Sequence, residues 1–411
     1  MLENRLIKIV GNKYQGTFVK ISDECYQILC ELLKNSYSEE KFGDIFEKQE
    51  DQEYFWDLFK ILLDKKILVE VEDKEYIENI NMQWDLTKQC NLSCIHCIAN
   101  ADISKLYESD YNSMLRIADQ IIELSPQSLT ISGGEPMILP HFFELSEYIK
   151  KRCEGLLYLI TNGTLITEQN AENIAKLFDN VSISIDGVDE ETCSKIRGKG
   201  VFSKVISGIK YLKNAGLDKI SLSMVLTNDN KKYEQKFYDM CDELKVQAYV
   251  RVFAPIGRGK EHADLYISSD KEIVKDKVLP NVVLEKKKNN QPKNEIGVCS
   301  AEYGSITISA EGNMFLCAPF QFMGQSLGKV ADVENLKEYI KLEKYKNTVA
   351  YKEFEKLLPE NKENCKECNV RYFCWHCSFI NEQALKNDEY YLSDCKGKKR
   401  DLKFSVWGEQ V

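Results

Sequence analysis

Cys90, Cys94 and Cys97 lie in one short stretch, KQCNLSCIHC, spaced C-x3-C-x2-C. They follow on Met82–Leu86, a short segment that alternates apolar and polar residues and reads as a β-strand. This feature constrains the chain most. Three thiols clustered on one short loop directly after a strand point to metal or redox work.

Thiol usage elsewhere supports metal or redox work. The chain of 411 residues holds 15 cysteines and only 4 histidines. Its N-terminus has no apolar secretion core followed by a small-residue cleavage site, and no apolar stretch reaches bilayer length. A cytoplasmic location without membrane association is therefore expected, and cytoplasmic thiols stay reduced. Clustered cysteines there point to metal ligation, while few histidines disfavour histidine-rich sites. The net charge of −10 gives no basic footprint for a nucleic acid.

The chain after the triad alternates strands and helices. Strands are expected at Met82–Leu86, Ser128–Ser132, Leu156–Thr161, Val181–Ile185, Ser221–Leu226 and Tyr249–Phe253. Amphipathic helices fit between them, such as Met114–Leu124, Phe142–Lys151 and Lys204–Ala215. Repeated βα units imply a parallel sheet. About six units are too few for a closed eight-stranded barrel, so an open, partial (β/α)6 barrel is expected, with its site at the strand C-termini. Residues 1–78 read as a winged-helix-like α/β module: strands at Leu6–Ile9 and Thr17–Ile21, a helix from Asp23, a second from Ser38, a third over Tyr54–Asp64, and a returning strand ILVEVE. Residues 295–400 hold seven cysteines and little long periodicity, so ligated metal should organise them.

Three thiolates on one tight loop can hold three corners of a [4Fe–4S] cube and leave the fourth iron open. That iron can chelate the amino and carboxylate groups of S-adenosylmethionine, and one electron then breaks the sulfur–carbon bond to give a 5′-deoxyadenosyl radical. The motif resembles the radical S-adenosylmethionine (SAM) superfamily. A zinc loop is the rival reading, but zinc loops favour paired C-x2-C knuckles.

The resemblance extends along the barrel. The second strand leads into ISGGEP, with Gly133, Gly134, Glu135 and Pro136, the segment that in the family meets the methionine ammonium. Glycines permit close backbone approach. The third ends on Thr161 and Asn162, the fourth on Ser184, Asp186 and Gly187, and KIRGKGVF follows. The resemblance makes Ser184 a contact to the cofactor ribose or carboxylate. It makes Arg197 the guanidinium that pairs with the carboxylate. His96 inside the triad is read as packing on the adenine side. Ile98 stands where many relatives carry an aromatic residue. The core match ends in PIGRG, Pro255 to Gly259, so a domain over 82–260 and a linker over 261–294 are expected.

The later cysteines resemble the SPASM extension of radical enzymes that act on peptides, which holds two auxiliary [4Fe–4S] clusters. That resemblance gives Cys365, Cys368, Cys374 and Cys395 to one cluster and Cys299, Cys317 and Cys377 to the other, with Gly312 and Cys317 forming G-x4-C. Each full cube takes four thiolates and seven are present. The second cluster then has an open iron or a non-cysteine ligand such as His376. Cys374 and Cys377 have two residues between them where the family usually has three. Cys365/Cys368 and Cys374/Cys377 also look locally like zinc knuckles. The remaining cysteines are expected in the core.

The first 78 residues resemble the leader-binding module of peptide-modifying enzymes, the RiPP recognition element, which takes a precursor's leader as an added strand. The combined expectation is a maturase of a ribosomally made precursor peptide, supplied with electrons by a flavodoxin or ferredoxin. The open iron favours a cysteine-to-carbon thioether, as sactipeptide and ranthipeptide synthases make. Carbon–carbon cross-linking, formylglycine formation on a sulfatase and a zinc-bearing peptide-binding scaffold are the alternatives.

Overall fold

The computed structural model describes residues 2–4, 7–13, 16–34, 46–68, 80–105, 110–253, 256–265, 296, 299–302, 304–322, 326–374 and 388–408. The expected helix from Ser38, most of the returning strand ILVEVE, most of the linker, and Cys377 with His376 lie outside the described residues. The chain divides into two compact units. One joins Met1–Tyr76, Asn289–Cys299 and Lys356–Val411; the other joins Ile77–Lys288 and Ser300–Glu355.

The larger unit is built on a parallel sheet. β4 (Asn81–Asp85), β5 (Ser128–Ser132), β6 (Leu156–Thr161), β7 (Asn180–Ser184), β8 (Ile220–Leu226) and β9 (Gln247–Val252) pair side by side in chain order. The helices between them are α3 (Tyr111–Leu124), α4 (Phe142–Lys150), α5 (Glu168–Leu177), α6 (Glu190–Arg197), α7 (Val201–Asn214) and α8 (Glu234–Leu244). Asp110 caps α3, and reciprocal caps at Thr167/Asn170 and Asp189/Thr192 start α5 and α6, satisfying backbone donors that the first helical turn leaves open. This is the expected α/β partial barrel.

Side-chain alternation sorts the sheet into two faces. Met82, Trp84, Leu129, Ile131, Leu157, Leu159, Val181, Ile183, Leu222 and Met224 are buried on one of them. The opposite face is polar. Gln83 stands beside Thr130, Asp85 beside Ser132, Ser184 beside Ser223, and Ser223 beside Tyr249. A polar inner face suits a barrel that encloses a site instead of a dry core.

The sheet has two strands more than expected. β10 (Ser305–Ile308) pairs parallel with β4, setting Ile308 against Trp84. β11 (Met314–Phe315) pairs antiparallel with β10. Their turn depends on Gly312 at φ 77°, and Cys317 follows it. α9 (Leu336–Lys341) and α10 (Val349–Glu355) complete this unit.

The smaller unit starts with an antiparallel sheet, β1 (Leu2–Asn4), β2 (Ile7–Asn12) and β3 (Thr17–Ser22), followed by α1 (Asp23–Lys34) and α2 (Gln49–Asp64). α2 begins five residues before the expected Tyr54. Ile21 packs with Leu29, Leu32, Phe55, Leu58 and Leu62. Ile9 joins a second core with Val370, Phe373 and Val406, against which Phe18 and Cys368 also pack. The hairpin therefore contributes to two cores, one with its own helices and one with the C-terminal cysteine segment. α11 (Asp388–Leu402) carries Cys395.

Candidate active site

The loops leaving β4 and β5 stay zipped together beyond the strands. Leu86 N donates to Ser132 O at 2.9 Å, Gly134 N to Thr87 O at 2.7 Å and Glu135 N to Gln89 O at 2.8 Å. Two glycines make this possible. A Cβ on Gly133, which has φ 136°, would stand 2.6 Å from Thr87 O, and one on Gly134 only 2.1 Å from Gln89 O. The GGEP segment thus forms the seat from which the cysteine loop departs.

Within the loop, Cys90 and Cys94 are buried and Cys97 is half-buried. Leu92 N lies 3.4 Å from Cys90 Sγ and Ala101 N 3.4 Å from Cys97 Sγ. Asn162 Nδ2 approaches Cys90 Sγ at 3.7 Å, and Arg197 Nη1 approaches Cys94 Sγ at 3.9 Å. Burial pushes the Cys90 thiol up to about 11. Each sulfur thus meets a donor that would stabilise it as a ligated thiolate. Together with the glycine seat, this donor set fits a [4Fe–4S] cube held by Cys90, Cys94 and Cys97. Among the described residues no group of three His, Cys, Asp or Glu side chains converges as the ligands of a single metal ion do. A cube presents its corners to separate thiolates, which need no such convergence.

Sequence reasoning missed the clamp on this loop. Arg258 Nη1 donates to Cys94 O and Nη2 to Ala101 O, both at 2.8 Å, while Arg258 N donates to Cys97 O at 3.0 Å. Gly257 adopts φ 58°, and a Cβ there would stand 2.2 Å from Ile98 O. The PIGRG run ahead of the expected linker was the available signal.

Glu135 is fully buried. Its carboxylate accepts from Thr161 Oγ1 at 2.8 Å, from Asn162 N at 2.8 Å and from Met137 N at 3.2 Å. Burial raises its pKa to about 7 despite these donors. Pro136 opens the 3-10 turn Pro136–Ile138. Thr161 and Asn162 therefore join Glu135 at the end of β6, and Asn162 reaches on to Asn91 Oδ1 at 2.8 Å.

Asp186, at φ 54°, is the hub of the next strand's end. Its Oδ1 accepts from Val225 N at 2.6 Å, and its Oδ2 meets both Arg197 Nε at 2.6 Å and His96 Nε2 at 2.5 Å. Burial opposes its charge, but Arg197 and His96 outweigh that and hold the carboxyl well below the usual carboxylate range. His96 is thus a partner of Asp186, a role the adenine-side packing reading did not include. Ser184 is half-buried on the polar face of the sheet. Cys193 is fully buried and its thiol donates to Ile185 O at 2.8 Å, which makes it a core residue.

In the smaller unit, Cys374 lies within electrostatic reach of Cys395, Cys368 and Cys365. Burial first, then these thiols, raise its pKa to about 12 against the pull of Lys398. Cys365 and Cys368 share a turn in which Cys368 N donates to Cys365 O at 2.8 Å. Cys299, in this unit, and Cys317, in the larger one, are both half-buried.

Residues 84–241 match the model of the radical SAM superfamily. Mycofactocin maturase MftC of Mycobacterium tuberculosis is 29% identical over 208 residues, 50% of this chain and 53% of that protein. The AdoMet-dependent heme synthase of Methanosarcina barkeri is 33% identical over 183 residues, 43% of this chain and 52% of that protein. The chain spans about half the length of the curated relatives it matches. Among solved structures, Streptococcus suis SuiB bound to S-adenosylmethionine has the same fold, with TM-score 0.56 and 16% identity over 93% of this chain and 97% of that one. SuiB bound to its precursor peptide SuiA matches with TM-score 0.53 and 17% identity over 92% and 95%.

Proposed function

We propose that the radical SAM domain formed by residues 84–241 serves a peptide maturase, which cross-links a ribosomally made precursor by joining a cysteine sulfur to a carbon. The observation that carries the substrate class is the outer edge of β3. Among the described residues β3 pairs with β2 alone, so its other edge can accept an extended leader peptide as a further strand. The mycofactocin maturase and precursor-bound SuiB likenesses support the same reading.

In this reading residues 1–78 bind the leader, 82–260 form the radical barrel, 261–294 link, and 295–400 form the SPASM part. Cys90, Cys94 and Cys97 would hold a [4Fe–4S] cluster, which would supply the one-electron cleavage of S-adenosylmethionine that starts radical chemistry. The protein's own groups position and insulate. Arg258 holds the loop, while Leu92 N–H, Ala101 N–H and Asn162 stabilise the sulfurs. Glu135 fixes the GGEP turn so that its backbone faces the ammonium. Asp186 holds Arg197, which faces the cofactor carboxylate, while Ser184 meets the cofactor's ribose or carboxylate. Cys365, Cys368, Cys374 and Cys395 would hold one auxiliary cluster, and Cys299, Cys317 and Cys377 another, which would supply binding for the peptide's cysteine sulfur. A flavodoxin or ferredoxin supplies electrons.

The test is anaerobic co-expression with small peptides encoded beside the gene, followed by thiol alkylation and mass spectrometry. Loss of two hydrogens together with an alkylatable thiol is the expected result. Loss of two hydrogens with every thiol intact would move the assignment to carbon–carbon linkage. The heme synthase likeness favours a second reading, chemistry on a tetrapyrrole. Binding of iron-coproporphyrin with no binding of any neighbouring peptide would select it.

A further inference from the structure

The cofactor contacts implied by resemblance leave one part of the polar face unused. They occupy the ends of β5, β6 and β7 and the helix α6, through Gly133–Pro136, Thr161, Asn162, Ser184, Asp186 and Arg197. β8 and β9 contribute none. Yet these two strands present polar groups on the same face, because Ser184 is in register with Ser223, Ser223 with Tyr249, and the next inward pair is Val225 with Arg251.

Arg251 stands out among them. Its side chain is exposed at the C-terminal end of β9, on the inner face of the sheet. It lies within electrostatic reach of Asp186 and Arg197. Asp186 is already engaged by Arg197 and His96, and Glu135 by Thr161, Asn162 and Met137. Among the described residues no carboxylate forms an ion pair with Arg251. Arg197 faces Cys94 and Asp186, which leaves Arg251, among the described residues of this inner face, as a cation without a paired carboxylate. Crowding by protein lowers its pKa below the ordinary arginine value, with Asp186 opposing. A bound anion would relieve that strain on the charge.

We propose that Arg251, with Ser223 and Tyr249 beside it on the inner face of β8 and β9, is the substrate subsite for a carboxylate, and that it receives an acidic side chain of the peptide being modified. This rests on the peptide-maturase reading. A guanidinium matches a carboxylate with two parallel N–H donors. The anchor would set which neighbouring residue of the peptide lies before the radical.

The probes are acetyl-Gly-Glu-Gly-amide and its Gln counterpart, titrated by calorimetry into the anaerobically reconstituted enzyme saturated with S-adenosylmethionine. Wild-type protein is expected to bind the Glu peptide roughly tenfold more tightly, the size of one charge-assisted hydrogen bond. Arg251→Gln is expected to reduce this preference to within about twofold, and Arg251→Lys to retain part of it, with iron content and S-adenosylmethionine affinity kept in both. Equal binding of the two peptides by wild-type protein would overturn the proposal. So would a roughly tenfold fall in S-adenosylmethionine affinity in Arg251→Gln, which would assign Arg251 to the cofactor carboxylate instead. Wild-type enzyme that binds the probes selectively but yields no 5′-deoxyadenosine with dithionite would defeat the maturase reading, not the carboxylate site.

Discussion

Phe18 on β3 meets Phe373, the residue before Cys374, edge to face with ring centroids 5.2 Å apart and planes at 88°. One residue belongs to the β2–β3 hairpin and the other to the cysteine segment, so the two share a core. Phe18→Ala should cost about 2–4 kcal/mol, toward the lower part of the range for core aromatics because the ring is half-buried. Phe18→Leu should cost less. Urea unfolding of the reduced protein measures both. A loss under about 0.5 kcal/mol for Phe18→Ala would mean that this shared core does not form.

Arg258→Ala removes two charge-assisted bonds to the backbone of the cysteine loop. Cluster retention should suffer more than folding. Iron bound after reconstitution should fall, and bleaching in air should accelerate roughly tenfold, if one bond's worth of about 1.5–3 kcal/mol is expressed in the rate. Arg258→Lys should fall between. Visible absorption followed during air exposure is the measurement.

Gly134→Ala places a methyl group where Gln89 O already lies, at 2.1 Å. Backbone must move on both sides, at a cost of about 1–3 kcal/mol or more. The expected outcome is a protein that retains its helical circular dichroism but loses most of its reconstituted iron. Normal iron loading would show that the seat is not needed.

Asp186→Asn leaves Arg197 buried beside a neutral group. Breaking a buried pair this way costs about 3–5 kcal/mol. The loss should be visible as a lower urea midpoint, accompanied by weaker binding of S-adenosylmethionine, because Arg197 is no longer fixed. His96→Ala should show the same pattern at smaller size.

Glu135 carries a pH signature. Its folded pKa, about 7, exceeds its ordinary 4.5, so the folded state binds more protons between those values. Its contribution to stability is therefore fully present below about pH 4.5 and lost as pH rises through 7. Glu135→Gln cannot ionise. Relative to wild-type, its unfolding free energy should improve between pH 5 and pH 8 in the metal-free protein. A constant difference across that range would remove Glu135 as the source.

The barrel strands were legible because apolar residues alternate with polar ones or run between helical segments. Ser128–Ser132 and Leu156–Thr161 end where expected, and the others shift by one or two residues. Helix starts were less legible, since α2 takes up the polar run from Gln49 ahead of its aromatic face. The residues at the strand ends could be named from their motifs. Their partners could not. The bond between His96 and Asp186 spans ninety positions, and the reach of Arg258 to Cys94 is longer still. Such pairings are fixed by the folded sheet and leave no local pattern. The same holds for β10, a four-residue strand whose place beside β4 is set by tertiary pairing alone.

That place has a consequence during synthesis. β4 lies between β5 and β10, so the strand that presents Cys90 keeps one row of backbone donors and acceptors unmatched until Ser305–Ile308 has left the ribosome. A chain interrupted before Ser305 would carry a barrel complete in its six parallel strands but with a bare border at β4, open to pairing with another nascent copy. In the finished sheet that border is β11 instead, only two residues long and with little backbone to offer another strand.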